Sequence, residues 1–245
     1  MQPNADLDGR TALVTGSAKR VGRELLLALA ACGADVAVHY DESEAEAAAT
    51  AEEARERGAD ATTVQADITD PASVDAAFDA VEDELGTVDV LVNNVGDFDP
   101  RHWADIEWES WRNVVETTFY GTVLCSRRAL KRMREAGWGR IMNIGFADSD
   151  LMHAYPENFP YFVAKTGVIM FTRMLASDTQ DDGITVNAVS PFAVENTVSD
   201  VSSLPRGRAA SFEDVAAPLL FFCSDAAGYI SGENVAVDGG RLLEA

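Results

Sequence analysis

The sequence of 245 residues predicts a doubly wound α/β fold, a parallel sheet of about seven strands with helices on both faces. Three observations predict it. Short apolar runs alternate with longer helical stretches along the whole chain. Those runs are apolar almost throughout, as strands covered on both faces must be. The first run stops abruptly at a glycine.

That first strand lies in Thr11-Ala-Leu-Val-Thr-Gly-Ser-Ala-Lys-Arg-Val-Gly22, and helical character resumes over 24–31. Gly33 suits a helix C-terminus before the second strand at 36–39, and the Ala/Glu-rich stretch 43–57, ended by Gly58, is a second helix. A third strand is expected at 62–66. Asp70-Pro71 then supplies an N-cap and a first-turn proline for a helix over 74–85. Strands follow at 88–92, 140–144, 184–189 and 234–237, with helices at 108–136, 159–177 and 212–223 between them. Residues 1–245 read as a single domain, since no linker-like stretch interrupts them. The irregular segment 195–211, with Pro205 and Gly207, is the candidate substrate loop.

Charge excludes some partners. The chain has 19 Lys+Arg against 41 Asp+Glu, a net charge of −22. Such a surface repels phosphate backbones and anionic membranes, so nucleic acid and membrane are not expected partners. The acidic residues are dispersed, and lysine occurs only at Lys19, Lys131 and Lys165. Both features suit a halophilic protein, whose self-repulsion is screened within about 3 Å at molar salt; an acidic protein of ordinary salt is the alternative. The longest apolar runs, 25–32 and 219–223, are far shorter than the roughly 20 residues of a membrane span, and the expected location is cytoplasmic. Cys32, Cys125 and Cys223 lack metal-knuckle spacing, as do His39, His102 and His153, so no metal is expected. Trp103, Trp108 and Trp111 read as packing residues, and Met133, Met142, Met170 and Met174 as core fillers.

In a doubly wound sheet, ligands sit beyond the carboxyl ends of the strands, where Gly16 and Gly22 would let backbone N–H groups approach a pyrophosphate. Asp67 follows the third strand, Asn93-Asn94-Val95-Gly96 closes the fourth, and Asp238-Gly239-Gly240 ends the last. Tyr161 and Lys165, four apart on a helix, share one face, and a nearby ammonium makes a phenol a usable proton donor or acceptor.

With these motifs in order, the chain resembles the short-chain dehydrogenase/reductase family from Arg10 to Gly240. The resemblance implies a Rossmann-type sheet and a cofactor turn containing Gly16, Ser17, Lys19, Arg20, Val21 and Gly22. It also implies an adenine border at Asp67 and Ile68, cofactor support from Asn94, Val95 and Gly96, and a catalytic pair, Tyr161 and Lys165, that also meets the cofactor. Pro191 and Asn196 would lie near the nicotinamide, and Tyr40 stands where NAD-dependent members place an acid. With Lys19 and Arg20 suited to a 2′-phosphate, NADP(H) is favoured and NAD(H) remains open. The expected reaction is reduction of a 3-oxoacyl thioester or small ketone. Lys19-Arg20-Val21-Gly22 and Val38-His39-Tyr40 also look like the pteridine-reductase branch, whose substrate holds a conjugated C=N bond. The helices around 111–133 and 161–176 would form a homodimer, often doubled to a homotetramer.

The chain departs from the family pattern at the serine position, occupied by Phe146, and at the asparagine position, occupied by Thr118. Asp148 or Ser149 is the candidate for the missing polar group, with a protonated or water-bridged Asp148 the sharper reading and a plain loop carboxylate the other. Phe192 replaces a glycine after Pro191, which with Phe146 suggests an aromatic pocket or simple core filling. The competing reading is a dinucleotide-binding protein that has lost catalysis.

Overall fold

Why the sheet takes its shape follows from which strands are buried on both faces. The computed structural model describes residues 5–151, 155–195 and 202–241. Among the described residues, β1 (Thr11–Val14), β4 (Val88–Asn93) and β5 (Gly139–Ile144) are buried at every position. β2 (Asp35–Tyr40) and β6 (Ile184–Pro191) are buried along most of their length. β3 (Ala61–Gln65) and β7 (Asn234–Val237) close the two edges, all seven strands being parallel in the order β3-β2-β1-β4-β5-β6-β7. The expectation of apolar, doubly covered strands fails at these edges. Thr63 and Gln65 of β3 are exposed, as are Val235 and Ala236 of β7, because an edge strand lacks full cover.

Among the described residues, six helices cover the sheet. α1 (Arg20–Ala30), α2 (Glu44–Glu56) and α7 (Phe212–Cys223) pack on one face through Leu25, Leu29, Ala47, Ala51, Leu219 and Phe222. On the other face α3 (Pro71–Leu85), α5 (Gly121–Ala136) and α6 (Phe159–Asp178) bury Phe78, Val81, Cys125, Met133 and Leu175. Each fully buried large apolar side chain stabilises the fold by about 1.5–3 kcal/mol. Helix starts follow the sequence signals. Asp70 accepts hydrogen bonds from the N–H groups of Ala72 and Ser73, and Ser211 and Asp214 form a reciprocal capping box on α7.

The stretch expected as one helix over 108–136 has three parts. α4 (Trp108–Val115) passes through a π-helical turn at Glu116–Tyr120 into α5. Such turns are rare and gather at functional sites, and this one carries the fully buried Thr118. Met133 and Met142 fill the core as expected, whereas Met170 and Met174 are exposed, as are Trp103 and Trp108. No helix of the described residues is long and apolar enough to cross a membrane.

The strand order reverses between β1 and β4, which opens a crevice beyond their carboxyl ends. Two loops line it. The Trp103 N–H donates to the Pro156 carbonyl at 2.8 Å and the Asn158 N–H to the Arg101 carbonyl at 2.9 Å, binding the loop after β4 to the start of α6. In the segment expected as a substrate loop, Glu195 and Ala210 pair through a backbone hydrogen bond of 2.9 Å. Asn196 and His153 lie outside the described residues.

Candidate active site

The turn after β1 is built on hydrogen bonds from β4. The Asn94 N–H donates to Thr15 Oγ1 at 2.9 Å, and its side-chain amide donates to the carbonyls of Thr15 at 3.0 Å and Gly16 at 3.3 Å. Gly22 must be glycine here, since a Cβ would lie 2.4 Å from the Gly16 carbonyl oxygen and 2.5 Å from Asn94 Nδ2. No side chain caps α1, so its first N–H groups face the crevice. Arg20 occupies left-handed backbone, φ 56°, at the start of that helix. Its side chain is exposed and forms no hydrogen bond or ion pair among the described residues. Lys19 Nζ donates to Ser43 Oγ at 2.9 Å. Val21 packs against the core, and Val95 Cγ2 lies where a Cβ on Gly16 would collide. At the far side, Tyr40 is half-buried at the end of β2, Asp67 accepts hydrogen bonds from the N–H and hydroxyl of Thr69, and Ile68 is buried against Gly121.

Tyr161 and Lys165 share the inner face of α6. Lys165 is buried, and its ammonium donates to the Ile144 carbonyl of β5 at 2.6 Å while lying 5.6 Å from the centre of the Tyr161 ring. A Cβ on Gly96 would come within 3.3 Å of Lys165 Nζ and 3.5 Å of Thr118 Oγ1, so the end of β4 closes over both. Thr118 clamps the next residue: its hydroxyl accepts from the Asp97 N–H at 3.2 Å. Burial lowers Lys165 to about 8 and raises the Tyr161 phenol above its ordinary value. Each group therefore resists charging alone, and each is the neighbour that favours the other's charged form.

Where the sequence places Phe146, the structure places aromatic rings on all sides. Its ring centre lies 6.0 Å from that of Tyr161, 5.2 Å from Phe162 and 5.8 Å from Phe192. Both readings of Phe146 and Phe192 meet here, for the rings touch one another yet stay half-buried at the crevice. Asp148 has a different set of partners from those a proton donor needs. Arg241 Nη1 donates to both its carboxylate oxygens at 2.6 Å, and the Tyr155 hydroxyl donates to Oδ2 at 2.6 Å. A carboxylate held this way is an acceptor, so the protonated Asp148 expected from the sequence gives way to an ion pair. Arg241 also stacks on Phe192, its guanidinium carbon 3.9 Å from the ring centre. The Ser149 hydroxyl is buried without a hydrogen-bond partner among the described residues.

With this geometry stands a consistent set of relatives. The family model described as Enoyl-(Acyl carrier protein) reductase matches residues 16–241. The chain belongs to the short-chain dehydrogenase/reductase family. It is 34% identical to a 3-oxoacyl-[acyl-carrier-protein] reductase of Synechocystis, covering 97% of this chain and 98% of that protein. It is 32% identical to one from Escherichia coli, covering 97% and 99%. Among solved structures, the acetoin dehydrogenase of Salmonella typhimurium superposes with a TM-score of 0.87 at 30% identity, over 94% of this chain and 95% of that one.

Members of this short-chain dehydrogenase/reductase family use NAD(P)(H), and the residues present fit such a group. The uncapped α1 N-terminus offers N–H donors, and the closeness of Gly16, Gly22 and Asn94 leaves the turn without side chains in the way. The structure brings Gly16, Ser17, Lys19, Arg20, Val21, Gly22, Asn94, Val95, Gly96, Tyr161 and Lys165 to one crevice, with Tyr40, Asp67 and Ile68 on its β2–β3 side and Pro191 at the end of β6. Sequence reasoning missed His39, Tyr155 and Arg241. His39 stood in an apolar strand pattern, and Arg241 is 93 residues from the Asp148 it binds.

Asp148→Asn should lower stability by about 2 kcal/mol, because the Arg241 guanidinium would lose its charged acceptor. Thermal or urea unfolding of the variant beside Arg241→Ala and the double variant checks this; equal losses in all three are expected of a shared interaction.

Proposed function

We propose that the chain is an NADP(H)-preferring reductase acting on the carbonyl of a 3-oxoacyl thioester or small ketone through Tyr161 and Lys165. The observation that carries the reading is the placement of a buried lysine and a tyrosine on one face of α6, at the carboxyl ends of β4 and β5. The 3-oxoacyl reductases among the relatives support the substrate class.

The chemistry expected from a bound reduced nicotinamide is hydride delivery to the carbonyl carbon. The protein's part is the proton. Tyr161 Oη would donate it to the carbonyl oxygen, and Lys165, charged below about pH 8, would stabilise the phenolate left behind. The ammonium keeps its aim through the Ile144 carbonyl, whose hydrogen bond points it along the face that Tyr161 shares. Phe146 offers no donor to the developing oxyanion, so Tyr161 carries that task without a serine. Thr118 takes the asparagine's place in the π-helical turn and fixes the Asp97 backbone beside Lys165. Asp148 would serve by holding Arg241 and Tyr155 around the pocket wall.

A second reading is favoured by the rings of Phe146, Phe162 and Phe192 beside Tyr161. They suit a planar conjugated substrate such as a pterin, reduced at C=N by the same proton donor. For the cofactor, Lys19 and Arg20 lie on the turn after β1 and would suit a 2′-phosphate. The left-handed Arg20 supports this, since it holds a conformation costing about 1–2 kcal/mol relative to glycine, a strain found where function requires it. The exposed Trp108, Tyr120, Met170 and Met174 on α4 to α6 support a homodimer or homotetramer.

NADPH and NADH oxidation, measured in molar KCl against acetoacetyl thioester, diketones, dihydrobiopterin and quinones, should show turnover with one class. Tyr161→Phe should lower it by at least about a hundredfold. Nucleotide binding with turnover no greater than that of the variant would favour the non-catalytic reading. Reduction should slow as pH rises through about 8, where the Lys165 ammonium is lost. Arg20→Gly should gain about 1 kcal/mol in stability while its preference for NADPH over NADH falls by about tenfold. Light scattering in molar salt should give a dimeric or tetrameric mass, and a monomer would contradict the proposed assembly.

A further inference from the structure

Every polar atom of His39 is committed. Its Nδ1 accepts the Gly16 N–H at 2.9 Å, and Nε2 lies 3.0 Å from the Ala66 carbonyl oxygen. Its backbone N–H donates to Ser17 Oγ at 3.1 Å, and its carbonyl accepts the Ser17 N–H at 2.9 Å. The residue is buried. An N–H pointing at Nδ1 leaves that nitrogen as an acceptor, so the ring proton must sit on Nε2 and go to Ala66, which fixes one neutral tautomer. Gly16 and Ser17 belong to the turn after β1, while Ala66 immediately precedes Asp67 and Ile68. One ring therefore joins the two segments that border the proposed dinucleotide site.

We infer that His39 is a positioning residue for nucleotide binding: its neutral imidazole holds the glycine turn in register with the segment after β3, and its protonation releases that turn. The inference rests on the dinucleotide-binding reading of the site. A protonated ring would set an Nδ1–H against the Gly16 N–H, two donors facing each other in a buried place. Burial holds the imidazole below its ordinary value of 6.5, against the pull of the Ala66 carbonyl and the Asp41 carboxylate. The other charged groups around it are engaged elsewhere or point outward. Asp67 accepts from Thr69, Lys19 donates to Ser43, Arg20 is exposed, and β3 presents Val64 opposite the ring. The neutral, binding-competent form thus predominates at neutral pH and is lost only as pH falls below the ordinary imidazole range.

The test is calorimetric titration of the full chain with NADP+ between about pH 5 and about pH 8, using wild type, His39→Asn and His39→Ala. Asparagine can present an acceptor and a donor but does not titrate, so the ratio of wild-type to His39→Asn affinity cancels ionisation of the nucleotide phosphate. That ratio should be constant at the alkaline end and fall by about tenfold at the acid end, with His39→Ala weaker by about tenfold throughout. Nitrogen NMR of the wild type alone should show His39 Nδ1 unprotonated at neutral pH. A ratio flat with pH, wild-type affinity in His39→Ala, or a protonated Nδ1 would overturn the inference while leaving the nucleotide site intact. No binding by the wild type at any pH would overturn the dinucleotide reading and this inference with it.

Discussion

The hydrogen bond from the Lys165 ammonium to the Ile144 carbonyl is the contact around which the crevice is arranged. It joins α6 to β5, and since Tyr161 lies one helical turn earlier, it also sets where that phenol stands. Burial gives the contact its consequences. An ammonium removed from water needs acceptors, and with the Ile144 carbonyl its one hydrogen-bond partner among the described residues, burial lowers it to about 8. Gly96 leaves little room beside this amine, since a Cβ there would lie 3.3 Å from Lys165 Nζ and in van der Waals contact with Thr118. The π-helical turn carries the buried Thr118, whose hydroxyl accepts the Asp97 N–H next to Gly96.

A second group of hydrogen bonds crosses the carboxyl ends of the strands and keeps this contact in line with the glycine turn. Asn94 spans β4 to β1, and the neighbouring Asn93 donates to Asn143 on β5 at 2.9 Å and to Ser126 on α5 at 2.9 Å. Asn143 in turn donates to Thr172 on α6 at 2.8 Å. The buried amides thus form a chain from the sheet into the helix that carries Tyr161 and Lys165. In a low-dielectric interior such a chain favours one arrangement strongly, since each broken member leaves an unpaired polar group. The crevice is cross-linked by hydrogen bonds where its backbone meets the strands and is formed by side chains where it meets the aromatic wall.

The alternation of strands and helices was legible because it is a local pattern, repeated along the chain and marked by Asp70-Pro71 and by glycines. Tyr161, Lys165 and the glycine turn were legible for the same reason, each motif being contained within a few residues. Three features were not. The π-helical turn differs from an ordinary helix by hydrogen-bond register, which leaves no composition signal. Met170 and Met174 follow the spacing of core residues, but they lie on the outer face of α6. Asp148 lacked a visible partner because Arg241 comes from the far end of the chain and Tyr155 from the segment before α6. An isolated acid beside a missing serine invites a catalytic role, and a distant arginine occupies the oxygens on which that role depends.

The replacement of serine by Phe146 has to be read together with that arginine. Losing one oxyanion donor typically costs a factor of about 10²–10³ in rate, so a phenyl ring in its place demands compensation if the proposed chemistry proceeds. The rings of Phe146, Phe162 and Phe192 line one side of Tyr161 and would keep water from it once a substrate is bound, and electrostatic interactions strengthen as water leaves. Arg241 keeps this wall in place by stacking on Phe192 while Asp148 takes up its charge. A serine donor would add a hydrogen bond in a wetter site; under the proposed chemistry the aromatic wall would instead strengthen the Tyr161–Lys165 interaction by lowering the local dielectric. Under the proposed function it would favour molecules whose carbonyl or imine lies beside an apolar or planar body, since a polar one would lose its hydration against three phenyl rings.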